Sequence, residues 1–231
     1  NASGSMFALA VASRAWMRPG AEEASGMEDP RTTNYRYDAG PNSAMRAEIG
    51  QIVVNHSLCD EPLMRIFGFL SGLRADTQSV VVESLRLRST SLAATVTKLL
   101  ETSPLPIDIP ERLNVALSTF KKMTAQRNKI VHWAWGLSPE GKDEAPIYHP
   151  TKRNSDGTPY SETLTLLELR KIALDLMQVY YLLGIIAGLL ECGVPDEIKS
   201  ASLSKFDKLI EKVRSSILEY PEAEAEELPL S

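Results

Sequence analysis

Residues Ile109–Gly136 read IPERLNVALSTFKKMTAQRNKIVHWAWG, and the spacing of their apolar members predicts one amphipathic helix. Leu113, Leu117, Phe120, Met123 or Thr124, Ile130 or Val131, and Ala134 recur at steps of three and four, the period of a helical stripe. Arg127 falls on that stripe. At about 100° per residue, Asn128 and His132 share one face, and Arg127 lies one step round with a side chain long enough to reach the same space. A guanidinium at a core edge is costly without a carboxylate, carbonyls, a partner subunit or a bound phosphate beside it. Its planar fork of donors matches phosphate, and an imidazole exchanges protons near neutral pH, so the run Arg127-Asn128-Lys129-Ile130-Val131-His132 suits phosphodiester chemistry.

On the N-terminal side, the pattern predicts a first core helix over 43–71, with Ile49, Ile52, Val53, His56, Leu63, Phe67 and Leu70 on one side. Asp60-Glu61-Pro62 interrupts it, as a kink or as a break with a new N-terminus capped by Asp60. A second helix is expected over 77–101, with Val81, Leu85, Arg88, Leu92, Val96 and Leu99 in register. Of Arg86 and Arg88, only one can face the core edge, and the register selects Arg88. Pro104, Pro106 and Pro110 predict an extended linker into the Arg127 helix.

On the C-terminal side, Ile147-Tyr148-His149 and Thr158-Pro159-Tyr160 flank Asn154-Ser155-Asp156-Gly157, which predicts a small hairpin. Helical period returns over 163–191. Its stretch Val179–Leu190 is apolar nearly all round, and at 12 residues it is shorter than the roughly 20 needed to span a bilayer. Such a segment belongs at the centre of a bundle or at a subunit interface, and Gly184 with Gly188 would allow close backbone approach. A last amphipathic helix is expected over 201–218, packing through Leu203, Phe206, Leu209, Ile210, Val213 and Ile217.

Asn1–Ser5 looks like an expression remnant before Met6. The stretch 6–42 is rich in Ala, Gly, Pro and charge without a sustained period, so residues 1–42 are expected to form a flexible arm. Phe7–Ala12 is too short for a secretory core, and Arg14, Trp16 and Arg18 are expected in a solvated tail. The helical domain is then 43–219, followed by an acidic tail over 220–231.

The chain has 231 residues with 43% hydrophobic content, enough for one core. Its net charge is −5, but five glutamates from Glu219 to Glu227 leave 25 acidic against 25 basic residues elsewhere. No global basic field marks the chain as a nonspecific duplex-DNA binder, although a local RNA groove remains compatible with scattered cations. Cys59 and Cys192 stand far apart in sequence, so no disulfide framework is implied and a reducing cytoplasm fits. His56, His132 and His149 have no second histidine or carboxylate at helix-ligand spacing, so neither a metal nor any other cofactor is expected. No Gly-rich phosphate loop, internal repeat or transmembrane segment is read.

Arg127 followed by Asn128, four residues between Arg127 and His132, and an aromatic after the histidine, all late in a bundle helix, resemble the signature of the higher eukaryotes and prokaryotes nucleotide-binding (HEPN) superfamily. The resemblance extends roughly over 44–192. It implies an all-α antiparallel bundle of four to five helices, here with a β-hairpin insertion. It also implies a homodimer whose two motif copies face each other and in many members cut RNA without a metal. Arg127 and His132 take the catalytic positions, and Asn128 a supporting one, because an amide does not exchange protons near pH 7.

Each residue also has a plainer reading. His132 would cap carbonyls near its helix end, and Arg127 would pair with Glu48 or Glu83. His56 would be a satisfied core histidine. Trp133 and Trp135 would pack, with base stacking the lesser alternative. His149, Lys152 and Arg153 would sit in a solvated turn, although Arg88, Lys129, Lys152 and Arg153 are candidate RNA contacts. The expected function is a metal-independent endoribonuclease, RNA-processing or toxin-like, with RNA and a regulatory protein as partners and no membrane association. The alternatives are a non-catalytic helical dimer serving as scaffold or binding module, and a nucleotide-binding bundle with a pocket beside Arg127 too narrow for RNA.

Overall fold

Asn42 caps the first helix. Its Oδ1 accepts from Met45 N at 2.9 Å, while its own amide donates to Lys142 O and Asp143 Oδ1, satisfying an orphan donor of the first turn. The computed structural model describes residues 40–106, 108–190 and 194–217; the arm over 1–39 and the tail over 220–231 expected from sequence lie outside them. Pro41, just before the Asn42 cap, is buried.

The elements are α1 (Ser43–Leu58), α2 (Asp60–Ser71), α3 (Ala75–Ser84), α4 (Ser89–Leu100), α5 (Asp108–His132), β1 (Ala134–Trp135), β2 (Glu144–Arg153), β3 (Pro159–Thr165), α6 (Leu166–Leu190) and α7 (Asp196–Ile217). The protein is mostly helical, with one small antiparallel sheet of order β1-β2-β3. Five expected helices are seven because two of them are divided. The first breaks at Cys59. Asp60 is not the cap there: it is the first residue of α2, and its carboxylate accepts from Ser89 Oγ. Pro62 lies in the first turn of α2, where a missing N–H leaves no hydrogen bond unmade.

The second breaks between Leu85 and Arg88, where Arg86 adopts a left-handed φ of 50°. Arg88 is therefore exposed at the cap of α4 rather than at a core edge. Pro110, expected in the linker, is instead in the first turn of α5. The last helix begins five residues earlier than expected, at Asp196. Phe206, Ile210 and Val213 of its expected face are buried.

Helix α6 is the hub, packed by α1, α2, α5 and α7, while α4 lies on α2 and α5. Its buried residues include Leu169, Leu176, Val179, Leu182, Leu183 and Ile186. All 25 residues are long and apolar enough to cross a membrane by length and composition, so the twelve-residue argument against a span fails. Four helices pack around α6, and half of its apolar 18-residue stretch is buried. Among the described residues a Cβ at Gly184 or Gly188 would meet nothing within 4 Å, so the two glycines are not in close backbone contact within the bundle.

The hairpin is present and larger than expected, and β1 adds a third strand directly after α5. Ala134 pairs with Tyr148 and Trp135 with Ile147; β2 and β3 run antiparallel with Ile147 opposite Glu162. Ala145, Ile147 and His149 alternate inward into the core, as a half-buried strand requires. Gly136 N donates to Pro146 O at 2.8 Å. A Cβ there would lie 2.7 Å from Pro146 Cγ, so only glycine lets the chain leave α5 this close to β2.

Candidate active site

Four faces of α5 can be assigned near its C-terminus. Phe120 and Thr124 meet α1: His56 stacks on Phe120 with centroids 5.3 Å apart, and its Nε2 lies 3.0 Å from Thr124 Oγ1. Met123 and Ile130 are in the core. Lys129 and Trp133 face β3, where Lys129 Nζ pairs with Glu162 and also stands 5.2 Å from the Trp133 ring centroid. Asn128 and His132, at 100° from either side, project outward, and His132 is exposed.

Arg127 belongs to the α1 side and is half-buried. Its Nη1 donates to Asn128 Oδ1 at 3.1 Å and stands 3.5 Å from His132 Nε2, the outer limit of a hydrogen bond. Helical geometry thus brings the three motif side chains together. Arg127 Nε is buried without an acceptor. Neither carboxylate expected as its partner serves: Glu48 pairs with Arg170, and no ion pair joins Glu83 to Arg127 among the described residues. Among the described residues no carboxylate stands in ion-pair contact with its guanidinium.

His56 is satisfied in the core, as its place on the apolar stripe implied. Thr124 Oγ1 donates to Phe120 O at 2.9 Å, so it accepts the His56 Nε2 proton and fixes that tautomer. Burial lowers the His56 pKa, the Arg127 charge lowers it further, and Asp60 opposes both. This electrostatic nearness of His56 to Arg127 was missed in sequence. Two residues 71 positions apart could be associated only through the pairing of α1 with α5.

The remaining candidate cations are placed differently. Lys129 is engaged by Glu162, with side chains only 15% and 29% exposed. Lys152 Nζ lies 5.0 Å from the Tyr160 ring centroid, and Arg153 Nη1 donates to Lys152 O at 3.1 Å near the exposed end of β2. Arg88 starts α4, next to the Ser89–Asp60 contact. His149 is buried rather than in a solvated turn: its Nδ1 accepts from Thr151 N and Lys152 N, and its ring meets Trp133 edge-on at 4.8 Å. Trp135 Nε1 donates to Ile130 O at 2.8 Å, fixing the indole against the end of α5.

Between α1 and the last turns of α5 runs an open groove of about 430 Å³, lined by Arg46, Ile49, Val53, Val131 and Trp135 among others. Arg127, Asn128 and His132 do not line it, but its lining residue Val131 is one turn after Arg127 and immediately precedes His132. Among the described residues no group of three His, Cys, Asp or Glu side chains is arranged to hold a metal ion. Comparison with family models, with curated proteins and with solved structures returned no match.

Proposed function

We propose that the protein is a HEPN-like endoribonuclease that cleaves RNA without a metal, acting as a homodimer in a reducing cytoplasm. The observation that carries this reading is the juxtaposition of Arg127, which has no carboxylate in ion-pair contact among the described residues, and the solvent-exposed imidazole of His132. A half-buried cation with spare donors attracts an anion, and a phosphodiester supplies one bearing two non-bridging oxygens.

In the proposed reaction, the imidazole of His132 takes the proton of a ribose 2′-hydroxyl, and the 2′-oxygen forms a bond to the adjacent phosphorus. The bond to the 5′-oxygen breaks, and that oxygen takes a proton from the imidazolium of the second subunit's copy of His132. The products are a 2′,3′-cyclic phosphate and a 5′-hydroxyl; one proton has moved between the two imidazoles. Arg127 stabilises the charge growing on the phosphoryl oxygens, and Asn128 holds the guanidinium. Such roles contribute about 10²–10⁴-fold for proton transfer and roughly 3–4 kcal/mol for a preorganised charge contact.

The test is incubation of labelled RNA with the parent, His132→Ala and Arg127→Ala proteins in excess chelator, with dimer mass checked by light scattering. Expected is cleavage by the parent to cyclic-phosphate ends, slowed at least about 10²-fold in both variants. Equal cleavage by all three folded, dimeric proteins would refute the assignment of these residues, and cleavage only without chelator would refute metal independence.

A further inference from the structure

We infer that the groove between α1 and the end of α5 receives one unpaired nucleobase of the RNA strand, making the protein selective for single-stranded RNA. This rests on the endoribonuclease reading and gives it a substrate-binding subsite. The groove's volume of about 430 Å³ lies in the range of roughly 300–1,000 Å³ usual for small-ligand sites. Its walls are the aliphatic Ile49, Val53 and Val131 and the indole of Trp135, and Arg46 is the one charged side chain lining it.

A nucleobase is flat and apolar on its faces, polar at its edge and attached to an anionic backbone. That chemistry matches an apolar slot with a cationic rim. Arg46, an exposed residue, spends one donor, Nη1, on Pro41 O at 2.9 Å. Arg127 is the second cation on this side of α5, one turn before Val131. In this proposal a base seated on Trp135 has its ribose and phosphate outside the slot, on the side of α5 that carries Arg127. Trp135 is already immobilised by its bond to Ile130 O, so stacking does not have to order the ring. Bases inside a duplex are paired and stacked and cannot enter; an unpaired one can be splayed out.

The experiment uses two fluorescent 2′-O-methyl strands, which cannot be cleaved, of equal length and charge: one with bases, one abasic. Fluorescence anisotropy should show the full-length protein binding the base-bearing strand about tenfold more tightly, the usual size of one base–aromatic contact. Filling the slot by Val53→Phe, or independently by Ile49→Phe, should remove that preference while binding of the abasic strand stays unchanged. Thermal unfolding and light scattering identify any variant that has lost its fold or mass, and the other then decides. Equal binding of both strands by the parent, no binding of either, or a preference that survives a filled slot would each overturn the inference. Loss of the endoribonuclease reading would be seen separately, as failure of the parent to cut ordinary RNA, and leaves the base preference measurable.

Discussion

On the sheet side of α5, Lys129 is held by the Glu162 carboxylate and rests near the Trp133 ring. On the α1 side, two residues earlier, Arg127 has no carboxylate partner among the described residues and only an amide and an imidazole for neighbours. The helix, its last turns and its local apolarity are common to both. What differs is the facing element: β3 offers an acid, whereas α1 offers the neutral His56 and apolar Ile49 and Val53. A cation consumed by the fold and one left for a ligand cannot be told apart by residue type, only by what the opposite surface supplies.

The comparison is broken most directly by removing each cation. Arg127→Ala should slow RNA cleavage by about 10²–10³-fold, whereas Lys129→Ala should leave the rate of a folded protein close to the parent's. Single-turnover assays decide it, and reversed outcomes would exchange the two roles. Next in size is Gly136→Ala. Its methyl group would collide with the Pro146 ring, costing about 1–3 kcal/mol of stability in thermal unfolding and shifting the sheet side of the helix end. An unchanged melting temperature would show that the close approach is not a constraint.

Lys129→Met should then destabilise the protein by about 1–2 kcal/mol, between the values for exposed and fully buried pairs. Much of that loss should be recovered in the Lys129→Met, Glu162→Met double variant, which removes the stranded carboxylate as well. A smaller effect concerns His56 on the opposite side. Its folded pKa lies below the ordinary value of 6.5, so below about pH 6.5 the unfolded chain binds a proton that the folded one resists. Stability contributed by neutral His56 is complete above that pH and falls as pH drops toward the lowered folded value. Melting temperatures recorded across this window should decline less steeply for His56→Gln. The smallest effect is a silence: burial, reinforced by Asp60, pushes the Cys59 thiol up to about 12. In a Cys192→Ser protein a thiol reagent should react only after unfolding.

Much of the helical framework was legible because α6 and the buried face of α5 write their period in Leu, Ile, Val and Phe. The break at Cys59 was one of two readings of Asp60-Glu61-Pro62. The break at Leu85–Arg88 was not legible, since no glycine or proline marks it and Arg86 takes a left-handed φ against its residue type. Within the site, Arg127, Asn128 and His132 converge by helical geometry alone, which spacing reveals. Pairing of Lys129 with Glu162 and the nearness of His56 depend on which elements pack against α5. Likewise, the groove needs Arg46, Ile49 and Val53 from a helix more than 70 residues earlier, and no local pattern announces that.

One further consequence follows from β1. Final turns of helices ordinarily fray, and a reacting group mounted there would wander. Here the polypeptide passes within two residues from His132 into a paired strand, and Gly136 is tied to Pro146, so the helix end is moored like the middle of an element. Amide exchange at residues 128–132 should consequently be as slow as in the deep core. For anyone attaching a label or a fused domain, the exposed bend at residues 154–158 is the safe point of attachment, and the base of the same hairpin is the place to leave untouched.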